Sequence, residues 1–400
     1  MRGEDRQFFP YDGRNLNPEL ADLSGEAVGL RIDPDAHLKD APLGARPTPD
    51  PKGADPKARD QKTVAHMAVA QTAVLKAPRW EWQVPAYLAL GGIGGMSATL
   101  ALAVRLTNGD EAAPLERAAH VISGVATAAG AGLLVLDLGR PSRFYNMLRV
   151  FRPSSPMNVG AWVLAGQSGA TWVSIVADAA PAVVPSRTDL AGRVGLASGV
   201  VSGLLGLPLA GYTGVLLGST ANPAWHEVRR ELPGLFLASA TSAGSGMVTL
   251  APRVGRLRRS AEVFGILGRA ADLLMARRVK TRLAPYPATT ASWEHGEAGR
   301  LDRMANAGTA AALGLGVVGL RYRWARLLAA VLAVLASFAQ RFAVFEAGKA
   351  AAADPNTVYE TQTRRPQTAQ LHADGTDRTR ADGTDRPRVE ATERDGTASI

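Results

Sequence analysis

The polar and apolar positions of this chain fall into long blocks and do not alternate every few residues. Seven stretches hold no charged side chain. They are bracketed by Glu81 and Arg105, Arg117 and Asp137, Arg152 and Asp178, Arg193 and His226, Glu231 and Arg253, Arg303 and Arg321, and Arg326 and Arg341. Each is close to the roughly 20 residues that cross a bilayer as a helix, or slightly short with an arginine placed to snorkel at its end. Glycine and alanine recur inside them, as in "GGIGGMSA" at 91–98 and "SGVVSGLLG" at 198–206. Small residues of this kind let membrane helices approach closely. A soluble bundle with a very apolar core is the alternative, and the recurrence of so many charge-free runs argues against it.

One further segment, "AEVFGILGRAADLLMARRV" at 261–279, is apolar but holds Glu262, Arg269 and Asp272. It reads either as an amphipathic helix at the interface or as another span with its charges turned inward. Arg269 and Asp272 are three apart, so they share a helix face and are expected to pair. Taking the segment as a span gives about eight transmembrane helices and an all-α integral membrane protein. Both tails then lie on one side. Lysine and arginine are nearly balanced across the loops: 138–156 and 277–303 are basic on the tail side, and "PRVGRLRR" at 252–259 and "RYRWAR" at 321–326 on the other. The positive-inside rule leans slightly to cytoplasmic tails in a bacterial plasma membrane.

The blocks divide the chain into a polar N-terminal arm (1–75), a membrane domain (76–350) and a polar tail (351–400). The start "MRGEDRQFFPYDGR" has no apolar core of a signal peptide, so the first span is expected to direct insertion. "PTPDPKGADPKARD" at 47–60 reads as a charged, proline-rich linker, and "ADGTDR" at 373–378 and 381–386 as disordered low complexity. Phe8, Phe9 and Tyr11 leave open that the arm folds onto a partner.

Composition narrows the chemistry. The net charge of +9 and mean hydropathy of −0.02 average the polar tails with the greasy middle. With no cysteine in the sequence, disulfides, thiolate metal sites and an iron–sulfur cluster of its own are excluded. Histidine is nearly absent from the spans: only His120 lies well inside one. A haem held by two axial imidazoles is therefore not expected, and His120 reads as a packed or hydrogen-bonded residue. No metal site is expected either.

What remains is a cluster at one membrane face. The first span starts at Trp80, Trp82 and Gln83, the second ends at "DLGRP", the third starts at "SSPMNVGAW", and the fourth ends in "GYTGVLLGSTANPAW". By alternation these ends share a face. Gln83 and Tyr87 are four apart and on one side of the helix, and Tyr212 sits about two turns inside the fourth span. A phenol and an amide can bond carbonyl oxygens in an apolar pocket, which suits a quinone. Trp80, Trp82 and Trp225 read first as an aromatic belt at the interface. The connection between the second and third spans carries Arg140, Arg143, Arg149 and Arg152 among aromatics, after Asp137. It is too basic and aromatic for a mere connector, although a loop that only orients the helices remains the alternative. Asp137 and Arg140, three apart, are placed to pin it.

The stretch "DLGRPSRFYNMLRVFRPSSPMNVGAW" (137–162) resembles the second-to-third helix connection of the NrfD/PsrC family, the membrane subunits of molybdopterin-type oxidoreductases such as polysulfide reductase. "GYTGVLL" with "NPAW" is similar to the end of that family's fourth helix, and "RFAVFEAGKAAAADP" (341–355) to the last-helix end of actinobacterial members. The resemblance covers about residues 76–358. It implies eight helices in two four-helix bundles that bind a quinone or quinol, menaquinone or ubiquinone, without haem. It implies a four-cluster ferredoxin-like iron–sulfur subunit docked over the quinone end and a molybdopterin catalytic subunit beyond, as in formate dehydrogenase, polysulfide, thiosulfate or tetrathionate reductases. Nucleic acid is not an expected partner. Tyr212 takes the place of the family's quinone-contacting tyrosine, while Gln83 and Tyr87 stand where polysulfide reductase has Asn and His. The basic loop with Asp137, Arg140, Arg143, Arg149 and Arg152 becomes the docking rim, and Glu262 and Asp272 are candidates for a proton path. The expected function is electron exchange between the quinone pool and the iron–sulfur partner, with no catalytic metal in this chain. A transporter with a binding site between broken helices is the alternative.

Overall fold

The computed structural model of the chain describes residues 80–362, with Leu75 and Pro78, apart from 139–141, 143, 185, 187 and 253. Readings made for the arm before residue 75, for the "ADGTDR" repeat, and for Arg140 and Arg143 lie outside the described residues. The described residues are helical, with no strand among them.

Eight long helices, of 19 to 31 residues, make up the described structure: α1 (Gln83–Asn108), α2 (Ala113–Asp137), α3 (Pro156–Ala179), α4 (Thr188–Gly218), α5 (Leu232–Leu250), α6 (Arg258–Leu283), α7 (Gly296–Gly319) and α8 (Arg323–Ala353). Short helical pieces at Phe144–Arg149, Pro223–His226 and Pro287–Glu294 join them. Four stretches are long and apolar enough to cross a membrane: Gln83–Asp137, which contains α1 and α2, Pro156–Ala182, Thr188–Gly218 and Arg323–Ala353. Side chains turned outward from them are apolar, including Trp172, Val176, Val201 and Leu204. An exposed apolar belt of this size is what lipid covers. The chain is a membrane protein. α5 is rich in Ser, Thr and Gly, and α6 and α7 carry charges, which leaves these three outside those four stretches.

The helices pack as neighbours in sequence and as rings. α1 packs on α2 and α4, α3 packs on both α2 and α4, α5 packs on α6 and α8, and α7 packs on both α6 and α8. α1 and α4 also meet α5, and α1 meets α8. α1 is accordingly buried along most of its length. Its contact with α4 is made backbone to backbone: a Cβ on Gly95 would lie 2.5 Å from the Gly206 carbonyl oxygen. Thr99 Oγ1 donates to Gly203 O at 2.9 Å across the same seam. Pro208 lies inside α4, a position that soluble helices avoid and membrane helices tolerate when neighbours satisfy the freed carbonyl.

Three expectations need correction. Arg269 does not pair with Asp272. It reaches two turns back to Glu262, with Nη1 2.8 Å from Oε1 and both side chains fully buried. Asp272 instead accepts from Gln340 Nε2 at 2.6 Å and Thr309 Oγ1 at 3.2 Å, on α8 and α7. Sharing a helix face permits a pair, but partners on neighbouring helices compete, and here they win. Second, Arg341 does not end a span. α8 continues to Ala353, and the Arg341 guanidinium stays inside, over the Phe236 ring at 3.9 Å and donating to Phe236 O at 2.8 Å. Third, Trp225 is no interface residue. It is buried, donates to Val344 O at 2.7 Å, and stacks with Trp80 at 6.0 Å between ring centres. Trp82, by contrast, is exposed. Helical structure also runs past residue 350, through the end of α8 and a further helix over 355–362, where buried Thr357 donates to Ala351 O at 2.7 Å.

Candidate functional site

The start of α1 and α3 and the end of α2 and α4 converge on an apolar cleft of about 120 Å3. Its walls include Val84, Leu134, Met147, Leu164, Leu209 and Leu216, and its polar groups are Tyr87, Asp137, Tyr212 and Thr213. An apolar cavity of about 150 Å3 holds a benzene ring, so this one is the size of a single six-membered ring. Trp80 closes one side.

The two tyrosines reach the cleft for different local reasons. Tyr87 lies one turn into α1, and its phenol is near both Asp137 and Tyr212. Tyr212 lies on α4 against Gly160 of α3. A Cβ at residue 160 would strike the Tyr212 ring at Cε1, Cδ1 and Cζ, so the glycine is what gives the ring its place. The Tyr212 hydroxyl is buried beside the Gly160 backbone and makes no well-formed hydrogen bond among the described residues. A phenol that lines an apolar slot can donate to an acceptor that enters it. A phenol in an apolar slot of this kind has the chemistry that a quinone ring would need.

Spacing along α1 groups Gln83 with these two, but it does not line the cleft. Its Nε2 turns toward Glu81 at 3.5 Å, while its Oε1 is buried and without a partner. Asp137, expected as a pin for the loop, lines the cleft as well. The described part of the loop is held by Asn158. That side chain accepts from Arg152 N at 2.6 Å and donates to Met147 O at 2.7 Å and Val150 O at 3.0 Å. Ser155 caps α3, accepting from Asn158 N at 3.4 Å, and Pro156 occupies the first turn, where its missing N–H costs nothing. Because Met147 is a cleft residue, Asn158 ties the loop directly to the cleft. Arg149 and Arg152 are exposed, as are Tyr145 and Phe151, and Phe151 meets Trp162 edge-on at 6.0 Å. The loop thus presents cations and aromatic faces outward, beside the mouth of the cleft.

Glu262 and Asp272 lie elsewhere, buried among α5–α8 with the partners given above. Among the described residues, no three His, Asp or Glu side chains gather as metal ligands. Sequence reasoning misses Gly160 and Asn158. The only signal for Gly160 is its register, four and seven residues ahead of Leu164 and Gln167 on the inward face.

Two comparisons with known proteins bear on this arrangement. Residues 72–290 match the family described as Polysulphide reductase, NrfD. The C subunit of polysulfide reductase from Wolinella succinogenes is 27% identical over 176 residues, 41% of the present sequence. The match spans 55% of that protein, about half its length.

Proposed function

The chain belongs to the polysulphide reductase NrfD family, and from that premise we propose that it is the quinone-binding membrane anchor of a molybdopterin oxidoreductase complex. It passes electrons between the membrane quinone pool and an iron–sulfur subunit docked on the loop of Arg149 and Arg152. The observation that carries this reading is the apolar cleft lined by both Tyr87 and Tyr212, with the buried Tyr212 hydroxyl held beside the Gly160 backbone. The name of the Wolinella relative supports assembly with other subunits of a polysulfide reductase-like complex. When bound, the quinone supplies two-electron, two-proton redox chemistry. This protein's residues hold it: Tyr212 donates to one carbonyl, Tyr87 stands ready for a second polar contact, and the aliphatic walls exclude bulk water.

In this reading all eight long helices cross a bacterial plasma membrane as two four-helix groups, with the tails and the quinone end on the cytoplasmic side. The arm (1–75) is the segment available to fold onto a partner. Glu262 and Asp272 offer a proton path through the second group, in which Arg269 and Gln340 are the neighbours a proton would have to pass. A transporter is the weaker reading, because the tyrosine cleft lies at the ends of its four helices and not at their middle.

The test is Tyr212→Phe. The ring, and with it the shape of the cleft, is retained, while one hydrogen bond is lost, worth about 0.5–1.5 kcal/mol or roughly two- to tenfold in quinone-linked turnover. Assembly with partner subunits stays intact. Turnover and inhibitor sensitivity equal to wild type would remove Tyr212 from the site.

A further inference from the structure

A second cavity, of about 250 Å3, lies at the other end of the same four helices. Where the tyrosine cleft takes the start of α1 and α3 and the end of α2 and α4, this one takes their opposite ends. From Tyr87 to Arg105 along α1 the separation is about 27 Å, which is most of a membrane's thickness. The cavity is lined by Arg105, Asp110, Glu116, Arg117 and Asp178, and ends at His120 and Ser174. Arg105 is held by Asp110 at 2.8 Å and Glu116 at 3.5 Å. His120 is 4% exposed. Its Nδ1 lies 3.1 Å from Ser174 Oγ, while its Nε2 is buried and has no partner among the described residues. Gly199 leaves the space beside that imidazole open: a Cβ there would come within 3.1 Å of His120 Cε1.

Between the two cavities the inward seam of α2 and α3 is polar at its middle. On α2 the seam positions are 120, 123, 127, 130, 134 and 137, and on α3 they are 160, 164, 167, 171, 174 and 178, the three-and-four spacing of one helix face. Ser123, Gln167, Thr171 and Ser202 fill its middle and are fully buried. Gln167 Nε2 lies 2.9 Å from Ser123 Oγ, 3.0 Å from Thr171 Oγ1 and 3.3 Å from Ser202 Oγ, and Thr171 and Ser202 are 2.6 Å apart. Gln167 Oε1 faces no protein donor among the described residues. One turn above it is Leu164, a wall of the tyrosine cleft, and one turn below is Thr171, with Ser174 beyond. Gaps of one turn, about 5 Å, are what a single bridging water closes, and buried orphan atoms are where such waters sit.

We propose that this column carries the protons exchanged in the tyrosine cleft to and from the membrane face opposite the docking loop, with His120 as the relay at its mouth. The proposal rests on the quinone reading of the cleft. There a quinone takes two electrons from the one-electron carrier on the docking face and two protons from the column to give the quinol, and the reverse reaction returns both. Electrons and protons thus reach the ring from opposite faces. Helix adhesion alone would account for the Ser–Thr–Gln cluster, since interhelical hydrogen bonds in membranes are worth about 0.6 kcal/mol on average. It gives no reason for a titratable ring with a free nitrogen at the inner end of a charged, water-sized cavity.

The test uses the complete complex in sealed membrane vesicles, with a short-chain quinol as donor and ferricyanide as acceptor. His120→Ala should slow quinol oxidation by about 100-fold, the lower end for transfer through a positioned side chain, and imidazole added to the medium should restore it. A pH dye in the compartment facing the Arg105 cavity should report proton release there in wild type. Independently of turnover, deuterium from the solvent should replace the His120 Cε1 hydrogen in the resting protein over days, detected by mass spectrometry, because water reaches a ring that a bulkier reagent does not. His120→Ala at the wild-type rate, a slow rate that imidazole leaves unchanged, or a His120 that takes up no deuterium would each overturn the relay. Binding of a quinone analogue to wild type and His120→Ala, measured separately, keeps the two proposals apart. No binding to wild type sinks the quinone reading, while equal binding to both with equal rates sinks only the column.

Discussion

Two small features at single residues decide the shape of the cleft. Gly160 lets the Tyr212 ring lie flat on α3, so Gly160→Ala should push the ring into the cleft. Overpacking of this kind costs about 1–3 kcal/mol, and quinone-analogue affinity should fall further than in Tyr212→Phe, which keeps the ring where it is. Equal affinity in Gly160→Ala and wild type would show that the ring has room the structure does not give it. Asn158 holds three loop backbone groups, so Asn158→Ala strands two carbonyls and an N–H. Limited proteolysis of membranes should then cut the 147–155 loop faster than in wild type, with the helices left intact. The tyrosines are legible in the sequence because a phenol two turns inside a charge-free span is hard to explain otherwise. Gly160 and Asn158 are not, because a glycine among many and an Asn near a helix start declare nothing until the opposing ring and loop carbonyls are known.

Among the elements, α6 shows what periodicity can and cannot give. Its apolar and charged positions point to a helix with charges turned inward, and Glu262, Arg269 and Asp272 are all buried. Their pairing is not legible, since spacing along one helix is silent about Thr309 and Gln340 on its neighbours. The buried charges balance: Glu262 with Arg269 directly, and Asp272 with Arg341 through the Gln340 amide, which donates to one and accepts from the other at 3.0 Å. Arg269→Met leaves Glu262 as an unpaired buried charge, and breaking a buried pair costs about 3–5 kcal/mol. The solubilised protein should unfold at a clearly lower temperature, and the Glu262→Gln/Arg269→Met double variant should recover most of the loss. A double variant no better than the single would mean that the pair is not coupled. The length of α8 is hidden for a related reason: a charge in the sequence suggests the end of a span, whereas Arg341 is neutralised inside it.

Across the whole molecule, the first four helices carry a graded interior: an aromatic, apolar cleft at one end, a hydroxyl–amide column in the middle and a charged cavity at the other. The alternation of charge-free runs is enough to place the cleft ends together, but not to show that the opposite ends form a cavity of their own. The exposed Arg149 and Arg152 stand beside the cleft mouth, so Arg149→Gln/Arg152→Gln should release an acidic partner subunit at lower salt than wild type, because exposed charges are screened over about 10 Å at 0.1 M. Partner retention unchanged across a salt series would reduce the loop to a topology signal. The most direct measurement is photolabelling of the membrane-embedded protein with an azidoquinone, followed by mapping of the adducts. Labels on the peptides carrying Tyr87, Met157–Leu164 and Leu209–Leu216, competed away by excess quinone, are the expected result. Labels spread over the lipid-facing side chains Trp172, Val201 and Leu204, and indifferent to competitor, would contradict a quinone site between Tyr87 and Tyr212.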